Sequence, residues 1–131
     1  KIEKAASGMM CADEELNGYL MDRIGSFAVE SLARAVEDDL RSDCALKEES
    51  VSARFSPGYC DWPIEEQYSL AKVLDFSRAG VTLTKSCMMN PRKSISGMAA
   101  IGPKGLFSKT ESQCVICDRK DCDYRRVLKR V

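Results

Sequence analysis

The sequence contains no histidine, and this absence removes several classes of chemistry at once. Without imidazole there is no Ser-His-Asp or Cys-His catalysis and no histidine-ligated metal. An excess of charge of one sign is also lacking, because 20 lysines and arginines balance 20 aspartates and glutamates. No overall field therefore attracts the chain to nucleic acid or to an anionic membrane, and we expect neither as a partner.

Long hydrophobic runs are absent as well. Charged residues interrupt every apolar stretch well short of the roughly 20 residues that a transmembrane helix needs, so we expect a soluble protein. The seven cysteines are an odd number, which favours intracellular thiols or metal ligands over a disulfide framework, and we expect a cytoplasmic location. The 131 residues suit a single domain, and Lys1 in place of a methionine indicates a fragment.

The longest periodic segment runs from Asp13 to about Arg41 and predicts one long amphipathic helix. Gly25 lies within it, and a close neighbour would explain a residue of such low helix propensity. From Ser42 to Ala53 the pattern lapses into a polar connection. The apolar residues of the helix recur at steps of three and four: Leu16, Leu20, Ile24, Phe27, Ala28, Leu32, Val36 and Leu40.

The rest of the chain mixes helical and strand-like segments. A second helix is predicted from about Pro63 to Ser77, with Ile64, Tyr68, Ala71 and Leu74 as its apolar stripe. Two strand-like segments, Val81–Thr84 and Ser94–Ile101, flank the turn signal Asn90-Pro91 and predict a small antiparallel sheet. Leu106-Phe107 is read as a further short strand, and residues 118–131 as a charged helix. The fold class is therefore α+β, a small antiparallel sheet flanked by helices.

Three motifs carry a resemblance to a known family. They are Asp22-Arg23-Ile24-Gly25-Ser26 on the long helix, Arg54-Phe55-Ser56-Pro57-Gly58-Tyr59 in a loop, and Gly80-Val81-Thr82-Leu83-Thr84 followed by Ser94-Ile95-Ser96-Gly97. In order and spacing they resemble the activation domain of vitamin B12-dependent methionine synthase, in its free-standing form. The resemblance covers roughly residues 13–101. It also implies that further sheet and helix precede the long helix, so that residues 1–131 are one activation-domain-like unit without its N-terminal part.

The resemblance implies a function that needs no acid or base from the chain. Such domains bind S-adenosylmethionine and support the one-electron reduction and methylation of inert cob(II)alamin. The cobalamin is held by a partner, a corrinoid-binding methyltransferase of methionine biosynthesis, and the electron comes from a flavodoxin-like or other low-potential donor. Cofactor and cosubstrate carry the chemistry, and the domain is accessory to the methyltransferase, with no catalytic residue of its own.

The resemblance also implies which loop residues bind the ligand. Arg54 looks like the family's ligand-contacting arginine, whose guanidinium suits the methionine carboxylate or a contact near the ribose. Ser56, Gly58 and Tyr59 belong to the same loop, where backbone groups would read the adenine edge. A glycine lets that backbone approach the ligand closely. On its own, the loop would more often be an ordinary Pro-Gly turn with two packed aromatic residues, and the second motif at the expected distance favours the ligand-binding interpretation.

Outside the loop, the resemblance implies three further cofactor-binding positions. Asp38, or its neighbour Glu37, and Glu48 would balance the positive charge of the ligand's ammonium and sulfonium groups. Read without the family, these acidic residues are a solvated face. Phe107 stands where methionine synthase has a tyrosine, which keeps the stacking face and loses the hydroxyl. This departure favours an alternative function, a corrinoid-protein docking module that does not bind S-adenosylmethionine.

A cysteine-rich basic tail, residues 108–131, is a separate candidate site. Cys114, Cys117 and Cys122 place three thiolates within nine residues, a spacing that suits tetrahedral zinc or part of an iron-sulfur cluster. Cys87, or else Cys60, is the candidate fourth ligand. The alternative is a set of ordinary thiols. If the tail is the active part, the chain is a cysteine-cluster protein, and its basic residues could also dock an acidic partner.

Overall fold

The computed structural model describes residues 1–107, 117–118 and 121–122. These residues form three α-helices and two antiparallel pairs of short strands, so the predicted α+β class is confirmed. The helices are α1 (Ile2–Cys11), α2 (Glu15–Ala45) and α3 (Gln67–Val73). The strands are β1 (Glu49–Val51), β2 (Thr82–Leu83), β3 (Met89–Asn90) and β4 (Ile101–Pro103). None of the described helices is both long and apolar enough to cross a membrane.

Both predicted helices exist, with changed boundaries. The long helix α2 continues to Ala45, four residues into the segment read as a polar connection. The second predicted helix is divided into a 3₁₀ turn at Ile64–Glu66, then α3, then another 3₁₀ turn at Phe76–Ala79. Gly80 ends this segment in the left-handed conformation that glycine adopts readily. The charged helix expected at residues 118–131 lies almost wholly outside the described residues.

The chain divides into two compact units, of which the first comprises Lys1–Val36 and Tyr68–Ile95. In this unit α1, which the sequence analysis did not predict, packs against α2. A Cβ added to Gly25 would lie 3.2 Å from Cγ2 of Ile2, and this close approach explains the glycine within the helix. Lys93 bonds to both helices. Its backbone N donates to a carboxylate oxygen of Glu3 on α1, and its Nζ donates to the hydroxyl of Ser26 on α2.

The apolar face of α2, which an amphipathic pattern ordinarily buries, is largely exposed in this unit. Six large apolar residues of this face, Leu16, Leu20, Ile24, Phe27, Leu32 and Val36, are between 48% and 70% exposed. The positions of this unit's part of α2 that are buried or half-buried are mostly small or polar, namely Gly18, Met21, Asp22, Gly25, Ser26, Val29, Glu30 and Ala33. Periodicity locates an apolar face correctly but does not reveal whether residues of the same chain cover it.

The strand pairing in the first unit also differs from the prediction. β2 pairs with β3 in the register Thr82↔Asn90 and Leu83↔Met89, whereas Val81–Thr84 was expected to pair with Ser94–Ile101. The hairpin closes early because Thr84 bonds to Met88 and Cys87 adopts a φ of 61° in the turn. Asn90, the first residue of the predicted turn signal Asn90-Pro91, is therefore the last residue of β3.

The second unit comprises Glu37–Gln67 and the described residues from Ser96 onward. β1, read from the sequence as a polar connection, pairs with β4 so that Val51 faces Ile101 and Glu49 faces Pro103. The backbone of Ser52 continues this pairing by donating to Ala100 over 2.9 Å. Leu106-Phe107 is a bend and not the short strand predicted. Val51 and, near the end of α2, Cys44 are buried in this unit.

Candidate functional site

The segment that begins at Arg54 is a folded loop closed by its own backbone hydrogen bonds. The amide of Gly58 donates to the carbonyl of Trp62 over 2.8 Å, and the amide of Tyr59 donates to Ser56 over 3.2 Å. Gly58 has a φ of 89°, a left-handed conformation that is strained for any residue with a side chain. The loop is therefore a defined structure built around its glycine.

The two motifs that carried the family resemblance in this unit lie in contact. Phe55 and Met98 exchange two backbone hydrogen bonds of 2.8 Å, and Ser56 Oγ donates to the carbonyl of Ser96 over 2.6 Å. A Cβ added to Gly97 would lie 2.7 Å from Cγ of Arg54. A glycine is thus required for the arginine stem to lie directly on this backbone, and the loop and the Ser96-Gly97 segment form one site.

Arg54 reaches a carboxylate on α2. Its Nη1 lies 3.2 Å from Oε1 of Glu37, and each side chain is about one-fifth exposed. Glu37 also pairs with Arg41 over 3.3 Å, and Arg41 pairs with Asp38 over 3.2 Å. Among the described residues of α2, Glu37 contacts Arg54, while Asp38 is a mostly exposed end of the same charge network.

Glu48 and Phe107 lie along the β1–β4 pair. Glu48 pairs with Lys104 over 2.8 Å, and both side chains are exposed. The backbone N of Phe107 donates to Ser50 Oγ over 3.3 Å, and the phenyl ring lies beside Gly102. These contacts give both residues a place in the strand pair, and the ligand contacts expected of them stay predictions.

One residue of the site, Gln67, was not predicted from the sequence. Only 2% of it is exposed, and its Nε2 donates to Ser96 Oγ over 2.6 Å. The predicted apolar stripe of this helix is wrong, because Tyr68 and Leu74 are exposed and the buried positions are Gln67 and Leu70. A glutamine at the start of a helix carries no signal of burial in the sequence, since it is usually a surface residue.

The predicted metal site falls largely outside the described residues. Cys114 is not among them, Cys117 and Cys122 are partly exposed, and Cys87 is buried in the β2–β3 turn. Within the described part of the chain, no group of three or more cysteine, aspartate or glutamate side chains could hold a metal ion. The cysteine cluster therefore stays a prediction.

In chemical terms, this site combines a guanidinium and a carboxylate with a backbone shaped by two glycines. Groups of both charges can form charge-assisted hydrogen bonds to a ligand that itself carries charges of both signs. The fold and the site together define an α+β domain in which a Pro-Gly loop and a glycine-containing segment enclose a paired arginine.

Comparison with known families identifies the domain. The family model for the vitamin B12 dependent methionine synthase activation domain matches residues 29–113, and the chain belongs to this family. The matched segment includes Glu37, Arg54 and Ser96 with their contacts, and the resemblance drawn from the motifs is confirmed. No curated protein sequence matches the chain closely enough to add a relative.

Proposed function

We propose that this activation domain binds S-adenosylmethionine at the Arg54 loop and supports the reductive methylation of cob(II)alamin held by a corrinoid methyltransferase. The observation that carries the proposal is the seating of Arg54, between Gly97 and the carboxylate of Glu37, in a member of this family. The cytoplasm, where low-potential electron donors operate, is the compartment that this function requires.

The residues present fit the proposed ligand. S-adenosylmethionine has a carboxylate, an ammonium and a sulfonium, and the Arg54 guanidinium with the Glu37 carboxylate complements both signs of charge. Gly58 at positive φ shapes a loop whose backbone can approach the adenine edge. The chain supplies position and charge and does not need to move a proton, which is consistent with a sequence without histidine.

The reaction balances with one external electron. Cob(II)alamin gains an electron from a low-potential donor and takes a methyl group from the sulfonium, which leaves as neutral S-adenosylhomocysteine. The domain's part is to hold the sulfonium methyl toward the partner's cobalt and to keep the charged ends of the ligand in place.

One observation favours the second candidate function, docking to a corrinoid protein without S-adenosylmethionine. Arg54 already has Glu37 as a carboxylate partner, so the ligand carboxylate must share or replace that pair. In a docking module the same pair would serve only to hold the loop against α2.

Calorimetric titration with S-adenosylmethionine decides between the two functions. The proposal expects saturable binding at one site, and weaker binding of S-adenosylhomocysteine because it lacks the sulfonium charge. Equal affinity for the two compounds would contradict recognition of the sulfonium charge by Glu37. Absence of binding to folded protein, together with binding to a corrinoid methyltransferase, would favour the docking module.

A further inference from the structure

The least exposed large side chain in the described part of the second unit is polar. Gln67 is 2% exposed, and its Nε2 donates to Ser96 Oγ over 2.6 Å. The carbonyl of the same Ser96 accepts from Ser56 Oγ over 2.6 Å. Gln67, Ser96 and Ser56 thus form a partly buried chain of hydrogen bonds, called here the Gln67 relay, that ends inside the Arg54 loop.

The Gln67 relay is not arranged for maximal stability. Gln67 Oε1 is buried and has no hydrogen-bond partner among the described residues. A buried acceptor without a partner is destabilising, and an apolar side chain of similar volume would avoid that cost. The amide is better explained by what its donor end does than by its contribution to folding.

The donor end of Gln67 bonds to the hydroxyl of the residue that precedes the glycine on which Arg54 lies. Ser96 precedes Gly97, and a Cβ at Gly97 would lie 2.7 Å from Cγ of Arg54, so a small shift of this segment displaces the arginine stem. We infer that Gln67 is a positioning residue, which holds Ser96 and through it both Ser56 and the seat of Arg54. The inference deepens the proposed function and rests on it for the ligand.

The decisive variant is Gln67→Met, which keeps an unbranched side chain of similar length and removes both the donor and the unpaired acceptor. We expect its melting temperature to stay close to that of the wild type. Affinity for S-adenosylmethionine should fall about fivefold or more, the effect of one lost hydrogen bond on the position of Arg54.

Ser52→Ala is the matched control. Ser52 is 8% exposed, and its hydroxyl accepts from the amide of Ala100 over 2.9 Å in the same unit but outside the relay. This variant should lower the melting temperature and leave the affinity unchanged. The opposite responses of the two variants separate positioning from general stability.

A second measurement does not depend on the ligand. In Gln67→Met, hydrogen exchange should accelerate at the amides of Phe55, Gly58 and Tyr59, which bond within the site, and not at the amide of Ser52. If the wild type fails to bind S-adenosylmethionine, the proposed function is wrong, and the exchange data still decide the positioning role. Wild-type exchange at these three amides overturns the inference, as does a loss of affinity in Gln67→Met no larger than that in Ser52→Ala.

Discussion

Arg54 and Glu37 form an ion pair, with 3.2 Å between Nη1 and Oε1, that joins the Pro-Gly loop to α2. Arg54→Ala removes the guanidinium and should weaken S-adenosylmethionine binding by roughly tenfold or more, because a hydrogen bond to a charged group contributes about 1.5–3 kcal/mol. Calorimetry on folded variants measures the change. Arg34→Ala is the control, since the Arg34 side chain is 71% exposed on the same helix, and it should bind normally.

Glu37→Gln tests the other half of the pair. The amide keeps the shape of the side chain and removes the charge that complements the ligand's ammonium or sulfonium. We expect weaker binding of S-adenosylmethionine; if Glu37 complements the sulfonium, S-adenosylhomocysteine binding changes little, and if it complements the ammonium, which both compounds carry, both bind more weakly. An increase in affinity would show instead that Glu37 competes with the ligand carboxylate for Arg54.

Gly58→Val should reduce both stability and ligand binding. At a φ of 89° a β-branched residue costs on the order of 1–3 kcal/mol, and its Cβ would lie 3.1 Å from Cδ1 of Ile64. Thermal unfolding and calorimetry measure the two effects. Gly8→Ala is the control, because Gly8 lies within α1 and no atom would contact an added Cβ. This variant should leave the melting temperature unchanged or raise it. A valine variant as stable as the wild type would show that the loop is an ordinary turn that does not need glycine.

The contact between Asp22 and Lys93 should make stability depend on pH. The hydrogen bond from Lys93 lowers the pKa of Asp22, with the charges of Lys93, Arg92 and Arg23 acting in the same direction and burial opposing them. Because the native pKa is depressed, the stabilisation is present above the unfolded pKa and is lost as pH falls through the native value. The melting temperature of Asp22→Asn should therefore be lower than that of the wild type at neutral pH, and the difference should vanish at acidic pH.

Asp39→Asn provides the comparison for Asp22, because Asp39 is an exposed aspartate of the same helix. Its melting temperature should follow that of the wild type across the pH range. Lys93→Met should reproduce the behaviour of Asp22→Asn. A pH-independent difference between wild type and Asp22→Asn would mean that the charge of Asp22 is not the stabilising feature.

The cysteine tail is tested by metal content. If Cys114, Cys117 and Cys122 bind zinc or an iron-sulfur cluster, anaerobically purified protein contains one of these metals, and each Cys→Ser change lowers it sharply. Cys87→Ser tests the proposed fourth ligand. Cys11→Ser is the control, since Cys11 is exposed on α1. Protein that contains neither metal, without exposure to air or chelator, would identify these residues as ordinary thiols.

The sequence predicted the helices better than it predicted which strands pair and which residues contact one another. Periodicity located α2 because a helical repeat is a local property, and the motifs identified the Arg54 loop and Ser96-Gly97 as a pair. Periodicity failed for β1, because three residues without a clear alternation of apolar and polar side chains cannot be told from a connection. Only the pairing with β4 defines them as a strand. Periodicity also missed Gln67, whose side-chain partner is Ser96, a residue far away in the sequence. Long-range hydrogen bonds of this kind leave no local pattern.

Two ion pairs to α2, one in each unit, have a consequence for measurements on this domain. Lys93 lies 2.8 Å from Asp22, Arg54 lies 3.2 Å from Glu37, and all four side chains are mostly buried. Dissolved ions screen such pairs weakly, because the Debye length is about 10 Å at 0.1 M and falls to about 3 Å only at 1 M. Added salt should therefore leave the seat of Arg54 largely intact while it weakens the exposed pair of Glu48 and Lys104.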